Sequence, residues 1–253
     1  MSSERVLLSI NDAVGTITLN RPDRHNAIDN EMSVIFAEYL HAVIKNPAIK
    51  VIVLRGEGQS FCSGRDVSQL GTRKDNESDF LFVRRAQDTR LAMLECPKPI
   101  IAAVRGHAIG GGLEMALACD IRIAASDVKM RMPEINYGLL PDTGGTQFIT
   151  TLAGPSRAKL MIMTGEPIGA DDAFAWGLVD KVVTPEQLDE TVAALATTLA
   201  SKSSLGLALA KQLVDQNWVP AAREGIRQEL VAQIAMFADR DKQGAIRGQY
   251  DKS

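Results

Sequence analysis

Three acidic side chains stand beside glycine-rich turns near the middle of this 253-residue chain. Glu114 follows Gly111 by three positions in Ile109-Gly110-Gly111-Gly112-Leu113-Glu114, Glu134 lies in Met132-Pro133-Glu134-Ile135, and Asp142 lies in Leu140-Pro141-Asp142-Thr143-Gly144-Gly145. A helix N-terminus leaves N–H groups without intrahelical partners and carries the positive end of the helix dipole, so a glycine turn that opens a helix can hold a developing oxyanion. Acids beside such donors suit proton transfer at a carbon next to a carbonyl: the amides stabilise the enolate and a carboxyl group moves the proton. A plainer reading stays open: the glycines pack a helix on a strand, Glu114 is a favourable first-turn acid, and Asp142 caps the helix beginning near Gly144.

Several other chemistries lack their residues. Gly106-His107-Ala108-Ile109-Gly110 does not have the dinucleotide glycine spacing, no Gly-Lys-Ser/Thr follows a glycine loop, and no nucleophile elbow is present. The three histidines are too dispersed to suggest a metal cluster, so no metal is expected. His107, at a strand end, suits either an acid–base role or a structural hydrogen bond.

The elements that must position these acids follow from apolar periodicity. Residues 6–10 and 16–19 read as a hairpin, residues 51–54 as a strand buried on both faces, and residues 99–104 as a buried strand. Asp29 or Asn30 can cap a helix that ends at Asn46-Pro47, and residues 80–95 form a second helix. The central stretch, residues 105–120, reads as the end of a buried strand, a glycine turn and a helix. Residues 121–124 and 130–135 are further short strands, and 178–183 is the last. Residues 70–78 are polar and aperiodic, and a mobile loop is expected there. The recurrence of strand, loop and helix points to ββα or βαβ units. Beyond residue 144 the chain is mostly helical, and segments 205–216, 221–237 and 239–248 are expected to form a helical appendage that packs on the core or on a neighbouring subunit.

Composition narrows the class further. A 45% hydrophobic content is ordinary for a globular protein, and a net charge of −3 with scattered basic residues speaks against a nucleic-acid surface. No apolar stretch reaches the roughly 20 residues of a membrane span, and residues 1–12 hold too short an apolar run for a secretory signal. Cys62, Cys96 and Cys119 are an odd set without metal-like spacing, which fits reduced thiols. These features lead to the expectation of a cytoplasmic enzyme.

Five segments then resemble one family in order and spacing: Leu19-Asn20-Arg21-Pro22 with Asn26-Ala27-Ile28, Phe61-Cys62-Ser63-Gly64-Arg65-Asp66-Val67, Ile109 to Glu114, Pro133-Glu134-Ile135, and Gly144-Gly145-Thr146-Gln147. The chain resembles the enoyl-CoA hydratase/isomerase (crotonase) family over nearly its whole length. The resemblance implies an α/β fold, a crotonase-like spiral of repeated ββα units over residues 1–200, with a C-terminal helical trimerisation region over residues 201–253. It also implies a homotrimer or a homohexamer of two trimers, an acyl-CoA thioester substrate, and no cofactor beyond the coenzyme A of the substrate. By the same resemblance, the backbone N–H groups of Arg65 and Gly111 hold the thioester oxygen. Ala27, Ser63, Gly64, Asp66, Val67 and Gly110 would line the coenzyme A site, with the adenine near Asp66 and Val67.

In the hydratases of the family two glutamates hold one water, and their positions match Glu114 and Glu134. Glu114 would activate the water that attacks C3, and Glu134 would supply the proton at C2. Asp142 departs from that pattern, since hydratases commonly have glycine there. Some isomerases of the family, dienoyl-CoA isomerases among them, have an aspartate acting as acid or base at that position but lack glutamate at the position of Glu114. Three readings therefore stand: hydration of a trans-2-enoyl-CoA, double-bond migration using Glu134 and Asp142, and acyl-CoA binding with little turnover.

Overall fold

The β-branched run after Lys50 lies at the centre of the larger sheet. In a computed structural model, which describes residues 4–69 and 77–239, this run is strand β3 (Val51–Gly56). Its side chains alternate between two cores. Ile52 and Leu54 join the main core, while Val51 and Val53 meet Ile101, Ala103 and Ile123 in a smaller one closed by Leu188, Val192 and Ala196. Those three belong to α7 (Leu188–Ala200). A strand covered on both faces has no solvent side to make polar, hence the unbroken apolar run.

The hairpin forms as expected. β1 (Val6–Asn11) pairs antiparallel with β2 (Val14–Leu19) across a turn in which Asp12 adopts φ 51°. All later pairings in this sheet are parallel, through β4 (Ile100–Val104), β6 (Ile121–Ala125) and β8 (Lys181–Val183), in the order β1-β2-β3-β4-β6-β8. Helices carry the crossovers: α1 (Asn30–Lys45) before β3, α2 (Asp79–Leu94) before β4, and α3 (Gly111–Leu117) before β6. The Asp29 carboxylate caps α1 by accepting from Met32 N at 2.8 Å.

A second, narrower layer explains where the site lies. β5 (His107–Ile109) and β7 (Lys129–Arg131) pair in parallel outside the large sheet, so β4-β5-α3 is a ββα unit, and β6 and β7 begin the next. The loop after β3 joins this layer through bridges from Cys62 to Ala108 and from Arg65 to Ile28. Two local expectations change here. The strand entering the central glycine stretch is two strands, because Gly106 at φ 52° bends the chain out of the sheet; a Cβ there would stand 2.0 Å from Gln59 O. Residues 130–135 are not one strand either. β7 ends at Arg131, and Pro133, which has no N–H to give a ladder, leads into a 3-10 turn at Glu134–Tyr137.

α4 (Gly145–Ala153), α5 (Pro155–Thr164) and α6 (Ala170–Ala175) follow, and after α7 come α8 (Ser204–Asp215) and α9 (Val219–Ala238). α9 packs on α2 and α4, whereas α8 buries none of its residues. Of the loop expected at 70–78 and the helix expected at 239–248, residues 70–76 and 240–248 lie outside the described residues. Ser78 caps α2. No single helix among the described residues is long and apolar enough to cross a membrane.

Candidate active site

The three adjacent glycines have separate reasons. Gly110 turns the chain into α3 at φ 53°, and a Cβ on it would come within 2.6 Å of Glu134 Oε1. Gly112 lets α3 lie against the loop of the preceding turn, where a Cβ would meet Cys62 O at 2.4 Å. Gly111 faces open space, its nearest neighbour to a notional Cβ being Glu114 Oε2 at 3.9 Å. As the first residue of α3, its N–H has no acceptor within the helix.

The preceding turn of the spiral brings a second amide to the same place. Ile28 pairs with Arg65 by donating to Gly64 O at 2.7 Å and accepting from Asp66 N at 2.9 Å, which turns Arg65 N–H to the opposite edge. That edge is the one toward α3: Gly64, at φ 89°, lies where a Cβ would be 3.5 Å from Gly111 N. Both residues line a cavity of about 330 Å³ that also takes in Glu114, Glu134 and Asp142. The sequence places these acids 20 and 8 residues apart, and the fold gathers them at one cavity.

Their environments differ. Glu114 is buried and accepts from Thr143 N at 3.0 Å, Gly145 N at 2.8 Å and Thr143 Oγ1 at 2.5 Å. Glu134 is half-buried, but its Oε2 is enclosed and finds no hydrogen-bond partner among the described residues. Burial first, and then the charge of Glu114, raise the Glu134 carboxyl well above its ordinary range. Asp142 is pushed up to about 7 by burial and Glu114, against the opposing pull of Arg90, Arg65 and a hydrogen bond from Gln233. Asp142 does not cap α4. Gly144 occupies the N-cap without a side-chain bond, and the amides of that turn go to Glu114 and to Glu229.

Of the other predicted residues, Ser63, Gly64, Val67 and Gly110 line the cavity, and Ala27 and Asp66 do not. Arg21 ties those two together outside it, donating from Nη1 to Ala27 O at 2.6 Å and to Asp66 Oδ2 at 3.0 Å. His107 also lies away from the cavity, edge-on to His25 with ring centroids 5.0 Å apart, and its Nδ1 has no hydrogen-bond partner among the described residues. Burial and the neighbouring His25 hold its pKa down.

Sequence reasoning missed four contributors. Arg90 of α2 is buried and donates from Nη2 to Gly111 O at 3.1 Å. Gln233 of α9 bonds Leu140 N at 3.0 Å as well as Asp142, Phe237 joins the cavity wall, and Glu229 holds the entry to α4. A signal was present: Gln87 and Arg90 fall in phase with Val83 and Leu94, and Glu229 and Gln233 with Ile226 and Leu230, so polar residues occupy the buried stripe of each helix.

A spiral of ββα turns with two amides and three acids at one cavity defines a class, and comparison bears it out. The chain belongs to the enoyl-CoA hydratase/isomerase family, whose model matches residues 9–251. It is 35% identical to crotonyl-CoA hydratase of Syntrophomonas wolfei over 94% of this chain and 89% of that one. It is 37% identical to 1,2-epoxyphenylacetyl-CoA isomerase of Escherichia coli over 84% of this chain and 82% of that one. The crystal structure of an enoyl-CoA hydratase/isomerase from Xanthobacter autotrophicus Py2 superposes with a TM-score of 0.87 at 28% identity, covering 98% of both chains. The architecture is the crotonase fold.

Proposed function

We propose that this chain catalyses the reversible hydration of a trans-2-enoyl-CoA to a 3-hydroxyacyl-CoA. The thioester oxygen is held by Arg65 N and Gly111 N. Glu114 takes a proton from water as the water oxygen bonds to C3, the C2–C3 π electrons move toward the thioester oxygen as an enolate, and Glu134 delivers its proton to C2. The hydroxyl thus ends on C3 and the hydrogen on C2. A proton must then pass from Glu114 to Glu134, through exchange with water, before the next turnover. One observation carries this reading: a carboxyl group held by three donors shares the cavity with one whose hold on its proton burial strengthens.

Coenzyme A is the only carrier the reaction needs, and it arrives with the substrate. Its pantetheine would run past Ala27, Ser63, Gly64 and Gly110, with the adenine near Asp66 and the exposed Val67. The test is a panel of enoyl-CoA chain lengths with product mass as readout: gain of one water supports the proposal, and an unchanged mass with every substrate refutes it.

Asp142 favours a second reading, migration of a double bond with Glu134 and Asp142 as the proton carriers. Its carboxyl lines the cavity, titrates at about 7, and is tethered by Gln233. Isomerisation leaves the mass unchanged and moves the absorbance of the conjugated enoyl group.

For the assembly, we infer a homotrimer or a homohexamer, with α8 at the contact. What supports it is the apolar face of Leu205, Leu209 and Leu213, which remains exposed on this single chain. Sedimentation reads the assembly directly. The compartment we propose is the cytoplasm, in keeping with three free, buried thiols at Cys62, Cys96 and Cys119.

A further inference from the structure

The turn that opens α4 is held by two carboxyl groups in strict alternation. Thr143 N and Gly145 N donate to Glu114, while Gly144 N and Thr146 N donate to Glu229 at 2.7 and 3.0 Å. The flanking hydroxyls repeat the division, Thr143 Oγ1 bonding Glu114 and Thr146 Oγ1 bonding Glu229. Four consecutive amides at a helix N-terminus therefore serve two carboxyl groups, one on α3 and one on α9.

The contact is built on both sides. Gly144 adopts φ 113°, and a Cβ on Gly145 would come within 3.0 Å of Glu114 Oε1. On α9, one turn before Glu229, Gly225 leaves room for Gln147, whose Cδ would lie 2.0 Å from a Cβ there. Gln147 in turn donates to Thr146 Oγ1 at 2.9 Å. Glu229 is buried and does not line the cavity, so it reaches the chemistry only through the turn.

We propose that Glu229 is a positioning residue: by holding Gly144 and Thr146 it keeps Thr143 and Gly145 aimed at Glu114, and so links the C-terminal helix to the acid that handles water. The inference rests on the hydration reading above. It gives α9 a part in the site in addition to the part in assembly that the resemblance implies for the C-terminal region. The charged groups that face Glu229 are Glu114 on α3, Asp142 on the loop before α4, and Glu134 on its 3-10 turn.

The experiment compares Glu229→Gln and Glu229→Asp with wild type in kcat, KM, thermal midpoint and pH–rate profile. Glu229→Gln removes the titratable carboxyl and turns an NH2 toward amides that need an acceptor. The expected result is a fall in kcat of about 10- to 100-fold, the cost of misplacing a reacting group by a fraction of an ångström to an ångström. KM should change little. The alkaline limb of the profile should move to lower pH, because the negative charge that Glu229 acquires above about 8 opposes ionisation of its neighbours in wild type and is absent in the variant. Glu229→Asp keeps a titratable carboxyl and should keep that limb near the wild-type position while kcat remains reduced.

A fall in kcat with the limb unmoved, or an unchanged kcat, overturns the proposal. If Glu229→Gln does not fold, Thr146→Val removes one contact to Glu229 and should lower kcat in the same direction by less; no change in kcat then overturns it. If the wild type turns over neither by hydration nor by isomerisation, the functional reading has failed, and infrared titration of 13C-labelled carboxyl groups decides the positioning alone. A displaced Glu titration in Glu229→Gln supports the link, and superimposable curves refute it.

Discussion

Glu114 and Glu134 share a cavity and a side chain, yet the turns around them treat a carboxyl group in opposite ways. The entry to α4 offers Glu114 two amides and a hydroxyl. The 3-10 turn at Glu134–Tyr137 leaves Glu134 half-buried, with its Oε2 enclosed and without a donor among the described residues. The two environments thus differ in donor supply: Glu114 accepts from three donors, while Glu134 keeps one enclosed oxygen without any.

The sharpest way to break that contrast is to neutralise each glutamate in turn. Glu114→Gln and Glu134→Gln should each lower the hydration kcat by about 10²- to 10⁴-fold, the range for losing a general acid or base. Their stabilities should diverge. Glu114→Gln sets an NH2 against N–H donors and should cost about 1–3 kcal/mol in urea unfolding, whereas Glu134→Gln removes a carboxyl that resists ionisation and should be neutral or stabilising near pH 8. Equal stability losses would refute the contrast.

The pH dependence of stability sharpens it next. Burial raises Asp142 to about 7 and Glu229 to about 8, and Glu134 well above its ordinary value. The folded chain therefore binds these protons more tightly than the unfolded chain, whose carboxyls titrate near pH ~4. The stabilisation is full below that value and is lost as pH rises through about 7 and then about 8. Thermal midpoints should fall across this window, and Asp142→Asn should flatten the part of the slope centred near 7. A midpoint that rises between pH 5 and 8 in wild type, by calorimetry, contradicts these assignments.

The glycines give the smallest effects and test the geometry on the α3 side. Gly112→Ala forces a Cβ to 2.4 Å from Cys62 O, and overpacking of this kind costs about 1–3 kcal/mol. Gly111→Ala meets nothing closer than 3.9 Å, and its helical propensity gain should leave stability within about 1 kcal/mol of wild type. Chemical denaturation of the two variants side by side separates the packed glycine from the one that faces the cavity.

Much of the frame was legible before any coordinates. The apolar run of β3, the hairpin at Asp12, the Asp29 cap and the glycine entry to α3 each follow from a local preference that tertiary packing reinforces. What escaped were the polar residues on buried helix faces. Arg90, Glu229 and Gln233 sit in phase with core residues, where a periodicity argument expects apolar side chains and reads polar ones as noise. The split of the central stretch into β4 and β5 escaped for a related reason: Gly106 marks a bend, but nothing local says that the chain leaves one sheet for another.

By itself the sequence determined the ββα succession, the family likeness and the identity of the acids, because strand and helix periods and glycine turns are set by neighbours a few residues away. Only the tertiary structure decided which acid is supplied with donors, which is left to hold its proton, and that a helix more than 100 residues beyond Gly111 braces the turn beside it. Those outcomes depend on burial and on partners brought from separate turns of the spiral, and desolvation and Coulomb interactions act through space whatever the separation along the chain.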